Sequence, residues 1–129
     1  MLERSPRVKA LDFHNDNPWV VFGLYSGTLS LHDYSTNTCI RTIEASVFPI
    51  RAVKFLVKKQ GIISGSDDFM IRLFNYNTME KMKEFQAHGD FIRCIIVHPT
   101  EPFVISGSDE AKIKIWNYEN NFSQVAVLD

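Results

Sequence analysis

Apolar side chains recur at every second position through much of this chain. The alternation is clearest in Lys112-Ile113-Lys114-Ile115-Trp116, where isoleucines share one face and lysines the other, and it returns at Leu29 and Leu31 and at Ile71 and Leu73. A period of two marks strands with one packed face and one solvated face. In the middle of the chain it predicts strands over 50–56, 61–65, 70–75 and 81–86. Turn formers separate them: Lys58-Lys59-Gln60, then Ser66-Asp67-Asp68, then Asn75-Tyr76-Asn77-Thr78.

The whole pattern repeats every 42 residues without insertion or deletion, as in Val8, Ile50, Ile92; Lys9, Arg51, Arg93; Phe13, Phe55, Val97; Tyr25, Asp67, Asp109; and Phe74, Trp116. A period in the low forties built of short strands is that of a WD-repeat propeller blade rather than of helical repeats. The predicted fold is all-β: a WD-repeat β-propeller fragment of three consecutive four-stranded antiparallel blades, roughly 7–47, 48–90 and 91–129, not closed into a ring. Propellers use about four to eight blades. Three would leave two apolar flanks facing water, which is the expectation for a fragment, a truncated product or a piece bound to a partner.

Fourteen basic residues against 15 acidic ones, with His counted neutral, leave a formal net charge of −1. Such a balance gives no general attraction to nucleic acid or anionic membrane, so charge-driven recognition has to be local. Glu3, Arg4, Arg7, Lys9, Asp12 and Asp16 interrupt the first twenty residues and leave no stretch for a signal peptide or membrane span. The chain reads as soluble and intracellular. Its two cysteines, Cys39 and Cys94, lie in different repeats without partner spacing and read as reduced, partly buried thiols rather than a disulfide or zinc site.

Antiparallel connectivity sorts the residues by end. The turns between second and third strands emerge on the same rim as the connections between blades. Tyr25, Asp67 and Asp109 therefore share a rim with Asp90 and with Lys9, Arg51 and Arg93 at the beginnings of the first strands. The opposite rim carries Asn15-Asp16-Asn17-Pro18 and Pro99-Thr100-Glu101-Pro102. Asp67 and Asp109 stand one step from the inward-facing acidic position, so their side chains are expected to turn outward into solvent. A rim with separate basic and acidic clusters suits a short peptide that carries a terminal carboxylate and lysines a few residues upstream.

The hydrogen-bond network that locks such a blade needs a His, a Ser or Thr, an Asp and a Trp. The third copy offers His88, Ser106, Glu110 and Trp116, with Glu where Asp is expected; the second has Asp68 but Phe74 for Trp. Both networks are expected to be incomplete, and these five residues (His88, Ser106, Glu110, Trp116 and Asp68) are read as structural. His14 and His98 are expected to end strands rather than bind metal. No phosphate loop or nucleophile–base set is visible, so no catalytic residue, metal or cofactor is assigned.

Arg7-Val8-Lys9, Pro49-Ile50-Arg51-Ala52, the run from Gly65-Ser66-Asp67-Asp68 to Phe74-Asn75-Tyr76-Asn77-Thr78, Asp90-Phe91-Ile92-Arg93-Cys94 and Val97-His98-Pro99-Thr100-Glu101-Pro102-Phe103 together resemble the first propeller of the beta-prime subunit of coatomer, collinearly over about 4–122. The resemblance implies a non-enzymatic component of the COPI vesicle coat, cytoplasmic and peripheral on Golgi and vesicle membranes, whose partners are the other coatomer subunits. It implies recognition of C-terminal dilysine sorting signals on cargo tails in Golgi-to-ER transport. Arg7, Lys9 and Arg51 would meet the terminal carboxylate, Asp90 and Asp109 a lysine, with Tyr25 packing alongside. The alternative is a WD-repeat interaction scaffold without cargo binding. Residues 123–129 depart from the family pattern.

Overall fold

The computed structural model describes residues 6–129; Arg4, where the collinear resemblance begins, lies outside the described residues. Twelve strands form among them. β1 (Val8–Phe13), β2 (Trp19–Leu24), β3 (Thr28–Asp33) and β4 (Thr38–Glu44) make the first sheet. β5 (Ile50–Leu56), β6 (Gly61–Ser66), β7 (Met70–Asn75) and β8 (Lys81–Gln86) make the second. The third holds β9 (Ile92–Val97), β10 (Phe103–Ser108), β11 (Lys112–Asn117) and β12 (Ser123–Leu128). Each is antiparallel with neighbours in chain order, and the middle one keeps the expected bounds except that β6 runs one residue further. No ring closes among the described residues.

The first strands β1, β5 and β9 lie side by side, and the sheets stack face on face. Val21, Leu29 and Leu31 of the first sheet are buried with Ile50, Val53 and Phe55 of the second. Ile63, Ile71 and Leu73 of the second are buried with Ile92, Ile95 and Trp116 of the third. Burial of these alternate positions is what stabilises the stack, at about 25 cal/mol per Å² of apolar surface removed from water. Two glycines set the approach. A Cβ on Gly23 would run into Cγ2 of Ile50, and one on Gly65 would stand 2.6 Å from Cγ2 of Ile92. The same isoleucine thus fills the same glycine socket at each seam.

His14 and His98 end their strands as expected, and the means is specific. The Nδ1 of His14 accepts the backbone N–H groups of Asp16 and Asn17, each at 3.0 Å. That of His98 accepts those of Thr100 and Glu101 at 3.1 and 2.9 Å.

The departure of the last residues has a physical form. Leu73 pairs with Lys83, but its equivalent Ile115 pairs with Ala126, so β12 is displaced by one residue along its neighbour. Asn121 and Phe122 are both left-handed (φ 53° and 56°), whereas only Met79 is at the corresponding turn of the second sheet. The extra turn residue shifts the strand and plants Phe122 against Phe85, with ring centroids 5.4 Å apart. One expectation fails outright: Cys39 and Cys94 are exposed, not partly buried. Cys39 sits on the outermost strand of its sheet, and Cys94 on the face of β9 that no further sheet covers among the described residues.

Candidate functional site

Each sheet builds the rim in the same way. The residue after β2, β6 or β10 donates its backbone N–H to a carbonyl just before the neighbouring first strand: Tyr25 to Arg7 at 2.8 Å, Asp67 to Pro49 at 3.0 Å and Asp109 to Phe91 at 3.0 Å. Directly after this bond the first strand bulges. The register slips between Val8 and Ala10, between Ile50 and Ala52, and at the point where Ile92 and Cys94 face Ser108 and Gly107. The unpaired residues are Lys9, Arg51 and Arg93. A bulge frees one residue from the ladder and re-aims its side chain, and here it sends three cations to one rim.

Two of them meet acids of their own sheet. Arg51 donates through Nε and Nη2 to the two carboxylate oxygens of Asp67, both at 3.1 Å. Arg93 does the same to Asp109 at 2.9 and 2.8 Å. This corrects the expectation of separate clusters: cation and anion alternate along the rim. It also corrects the outward placement of Asp67, whose side chain is only 7% exposed beneath Arg51. Asp109 does reach solvent. The Arg93 fork, aided by the charge of Arg51, holds its carboxyl below the usual range; Asp109 first, then Asp67 and Asp90, raise the Arg93 guanidinium. The Arg51–Asp67 and Arg93–Asp109 spacing of sixteen residues was the available signal for Asp67 and Arg93, which site assignment from sequence left out.

The first sheet breaks the symmetry. At the Asp67 and Asp109 position it has Tyr25, so Lys9 has no carboxylate within 4.0 Å among the described residues. The ring of Tyr25 instead lies under two guanidinium groups, with Cζ of Arg7 at 4.7 Å and that of Arg51 at 5.7 Å from its centroid, an arrangement that attracts cations to the ring face. Asp90 is half-buried and accepts the backbone N–H of Phe91 at 2.7 Å. The rim therefore keeps a gradient despite its pairs. Arg7, Lys9 and Arg51 stand against Asp67 at one end, while Asp90 and Asp109 stand against Arg93 at the other.

Beneath this rim the network of the third sheet is complete, contrary to expectation. Burial first, and then the charges of Lys114 and Lys112, hold the His88 pKa below its ordinary 6.5 against the opposing pull of Glu110. The neutral ring donates from Nδ1 to Glu110 at 2.7 Å and accepts at Nε2 from the hydroxyl of Ser106 at 2.7 Å. Ser106 in turn accepts Nε1–H of Trp116 at 2.9 Å. The longer Glu110 replaces Asp and also accepts the Gly89 N–H at 3.0 Å. In the second sheet Asp68 takes the central place, accepting from Ser46 at 3.1 Å and from Arg72 at 2.6 Å, and Ser64, which lacks a Trp partner, keeps a buried hydroxyl without a hydrogen bond.

A depressed histidine pKa sets a pH dependence. Its contribution is full above the unfolded value of 6.5 and is lost as pH falls through the folded value, because the unfolded chain takes up the proton first. Tm should be level above about pH 7 and decline below it, and a His88→Asn variant should have a lower Tm with a flatter decline. An unchanged slope in the variant would remove His88 as its source.

A groove of 540 Å³ opens at the opposite rim between Asp12, Lys54, Lys58 and His98, and no candidate rim residue lines it. No helix among the described residues is long and apolar enough to cross a membrane.

Stacked four-stranded antiparallel sheets with a His–Ser–Trp lock are blades of the WD type, and the family described as WD domain, G-beta repeat matches residues 37–75 and 79–117. The chain belongs to that family. Each match takes the last strand of one sheet with three strands of the next, so the sequence repeat straddles the seam. Over about half its length the chain is similar to coatomer beta-prime subunits. It is 44% identical over 68 residues to the putative coatomer subunit beta'-3 of Oryza sativa subsp. japonica, covering 53% of this chain and 8% of that protein. It is 44% identical over 65 residues to coatomer subunit beta' of Homo sapiens, covering 50% and 7%. Against coatomer subunit beta'-1 of Arabidopsis thaliana it is 47% identical over 58 residues, covering 45% and 6%. The matched part thus spans less than a tenth of these relatives. The resemblance to coatomer beta-prime read from the sequence stands over about half of the chain, a shorter stretch than the 4–122 expected.

Proposed function

We propose that this chain acts in a vesicle coat of the coatomer kind, on the cytoplasmic side of Golgi and vesicle membranes, and that its rim reads C-terminal dilysine signals on cargo tails. The observation that carries the reading is the charge gradient across one rim, where Tyr25 stands in the place of Asp67 and Asp109 and leaves Lys9 without a carboxylate among the described residues. A terminal carboxylate would settle beside Lys9, with Arg7 and Arg51 gathered over Tyr25. A lysine a few residues upstream would reach Asp109 and Asp90.

The internal forks set the strength. A peptide carboxylate competes with Asp67 for Arg51, and a peptide lysine competes with Arg93 for Asp109, so each contact is an exchange. Exposed ion pairs contribute about 0.2–1 kcal/mol and charge-assisted hydrogen bonds about 1.5–3 kcal/mol. A handful gives an affinity of micromolar order, about −8 kcal/mol, and many coats on one membrane would supply the rest by avidity.

Titration of the full chain with a dye-labelled peptide ending in a dilysine signal should give micromolar, salt-sensitive binding. Amidation of the peptide's carboxylate, or Lys9→Glu, should weaken it about tenfold or more, which is about 1.4 kcal/mol. Undiminished binding of the amide would end the carboxylate role. One observation favours a second reading, a scaffold with idle rim charges: Arg51 and Asp109 already have partners within the chain. On that reading Arg51→Ala and Asp109→Ala leave every partner interaction intact.

A further inference from the structure

The inner edges of the first strands carry a contact that changes its charge from one seam to the next. β1, β5 and β9 each stand at one end of their own sheet and lie side by side, so their outer backbone groups face the central channel around which blades are arranged. Further blades leave such an edge uncovered.

At the seam between the first and second sheets the donor on this edge is met: Oδ2 of Asp12 accepts the backbone N–H of Phe55 at 2.8 Å. One period later the donor recurs. Val97 pairs with Val104 as Phe55 does with Ile62, and because His98 donates its N–H to Phe103 of the same sheet, the Val97 N–H points the other way, toward β5 and the channel. The residue that stands where Asp12 does is now Lys54, which has no acceptor to offer. Lys54 is 36% exposed, and its Nζ is only loosely paired, 3.9 Å from Oδ1 of Asp12. Lys54, Lys58 and Val97 all line the 540 Å³ groove at the rim opposite Arg51 and Asp109, with Val57 in its apolar wall. Lys58 spans the same seam, donating to the carbonyl of Thr100 at 3.1 Å.

We infer that this groove takes an acidic side chain from an extended peptide of a partner protein, with its carboxylate accepting the Val97 N–H beside the Lys54 ammonium. Asp12 supplies from within the chain, at the preceding seam, what the partner's Asp or Glu supplies here. Exchange of a carboxylate for an ammonium turns an internal tie into a receptor of opposite charge, and a hydrogen bond to an ionised acceptor is among the stronger kinds. Two lysines face one carboxylate that already holds a backbone donor, so the groove favours an anion. Both sheets of this seam are present in the chain, and the surface is separate from the rim proposed to read lysines.

Titration of the isotopically labelled full chain with a short peptide of alternating Asp and Val should move the Val97 amide proton downfield until it saturates. Replacing Asp by Asn in the peptide, or Lys54→Met in the protein, should weaken binding about tenfold or more, the scale of one charge-assisted contact. Lys54→Asp puts a carboxylate where Asp12 stands at the other seam. That variant should show the downfield Val97 amide without peptide and should no longer take the peptide up. An Asn peptide that binds as well as the Asp peptide, a Val97 amide that stays in place while the peptide binds, or full binding by both Lys54 variants would overturn the inference. So would the absence of binding at millimolar peptide, or tighter binding of a single-stranded oligonucleotide, which would assign the groove to phosphate.

Discussion

Gly65→Val is expected to lower the stability of the chain by about 3 kcal/mol, the upper part of the usual range for overpacking a tight core. The first added carbon would stand 2.6 Å from Cγ2 and 3.1 Å from Cβ of Ile92, and 3.2 Å from Cδ1 of Ile95. Both isoleucines are buried in β9 and have nowhere to retreat. Either the seam between the second and third sheets opens, exposing Trp116 and its neighbours, or rotamers are forced out of their wells. For a chain of this size the Tm should fall by about 10 °C. Thermal and urea unfolding followed by circular dichroism and Trp fluorescence would measure it. A loss below about 0.5 kcal/mol would mean that the seam is looser than its distances indicate.

The second large effect is expected from Arg72→Leu. Arg72 lies between three groups, donating to Asp68 at 2.6 Å, Ser66 at 3.0 Å and Glu84 at 2.6 Å, and the side chains of Arg72 and Asp68 are 11% and 15% exposed. Burial by itself would raise the Asp68 pKa, but the Arg72 hydrogen bond, with Ser66, the Arg72 charge and Ser46, outweighs it and keeps the carboxyl below 3.8. Without Arg72 a largely buried carboxylate loses its counter-charge, a change that costs about 2–4 kcal/mol where some solvent remains. Because the folded pKa is depressed, the native contribution is present above the unfolded value of 3.8 and is lost as pH falls through the folded one. The gap between variant and parent should therefore be widest near neutrality and narrow in acid. Adding Asp68→Asn should recover part of the loss; no recovery would place the cost in packing rather than charge.

The alternation of Ile113 and Ile115 with lysines and the spacing of Val8, Ile50 and Ile92 were enough to read the strands, their order and the rim that gathers Lys9, Arg51, Tyr25, Asp90 and Asp109. Other features were not legible, for reasons that differ. The bulges at Lys9, Arg51 and Arg93 recur in every copy, so they leave no irregularity in the spacing. The forks from Arg51 to Asp67 and from Arg93 to Asp109 cross between paired strands, where alternation has no bearing on which charge meets which. Glu110 looks like a defect in the sequence because a rule that names Asp does not weigh reach, whereas one more methylene still brings its oxygen to 2.7 Å from His88. Cys94 is exposed whereas its equivalents Ala10 and Ala52 pack beneath a following sheet, and nothing local to the residue distinguishes an outer sheet from an inner one.

The bulges also separate two kinds of change that a duplicated unit can undergo. Lys9, Arg51 and Arg93 are the positions in their strands that the ladder does not employ, so exchanging the side chain there leaves the hydrogen-bonded scaffold as it was. Copies of one ancestral blade can drift apart at the mouth while their walls stay interchangeable, and the replacement of an acid by Tyr25 in the first copy has the form such divergence would take.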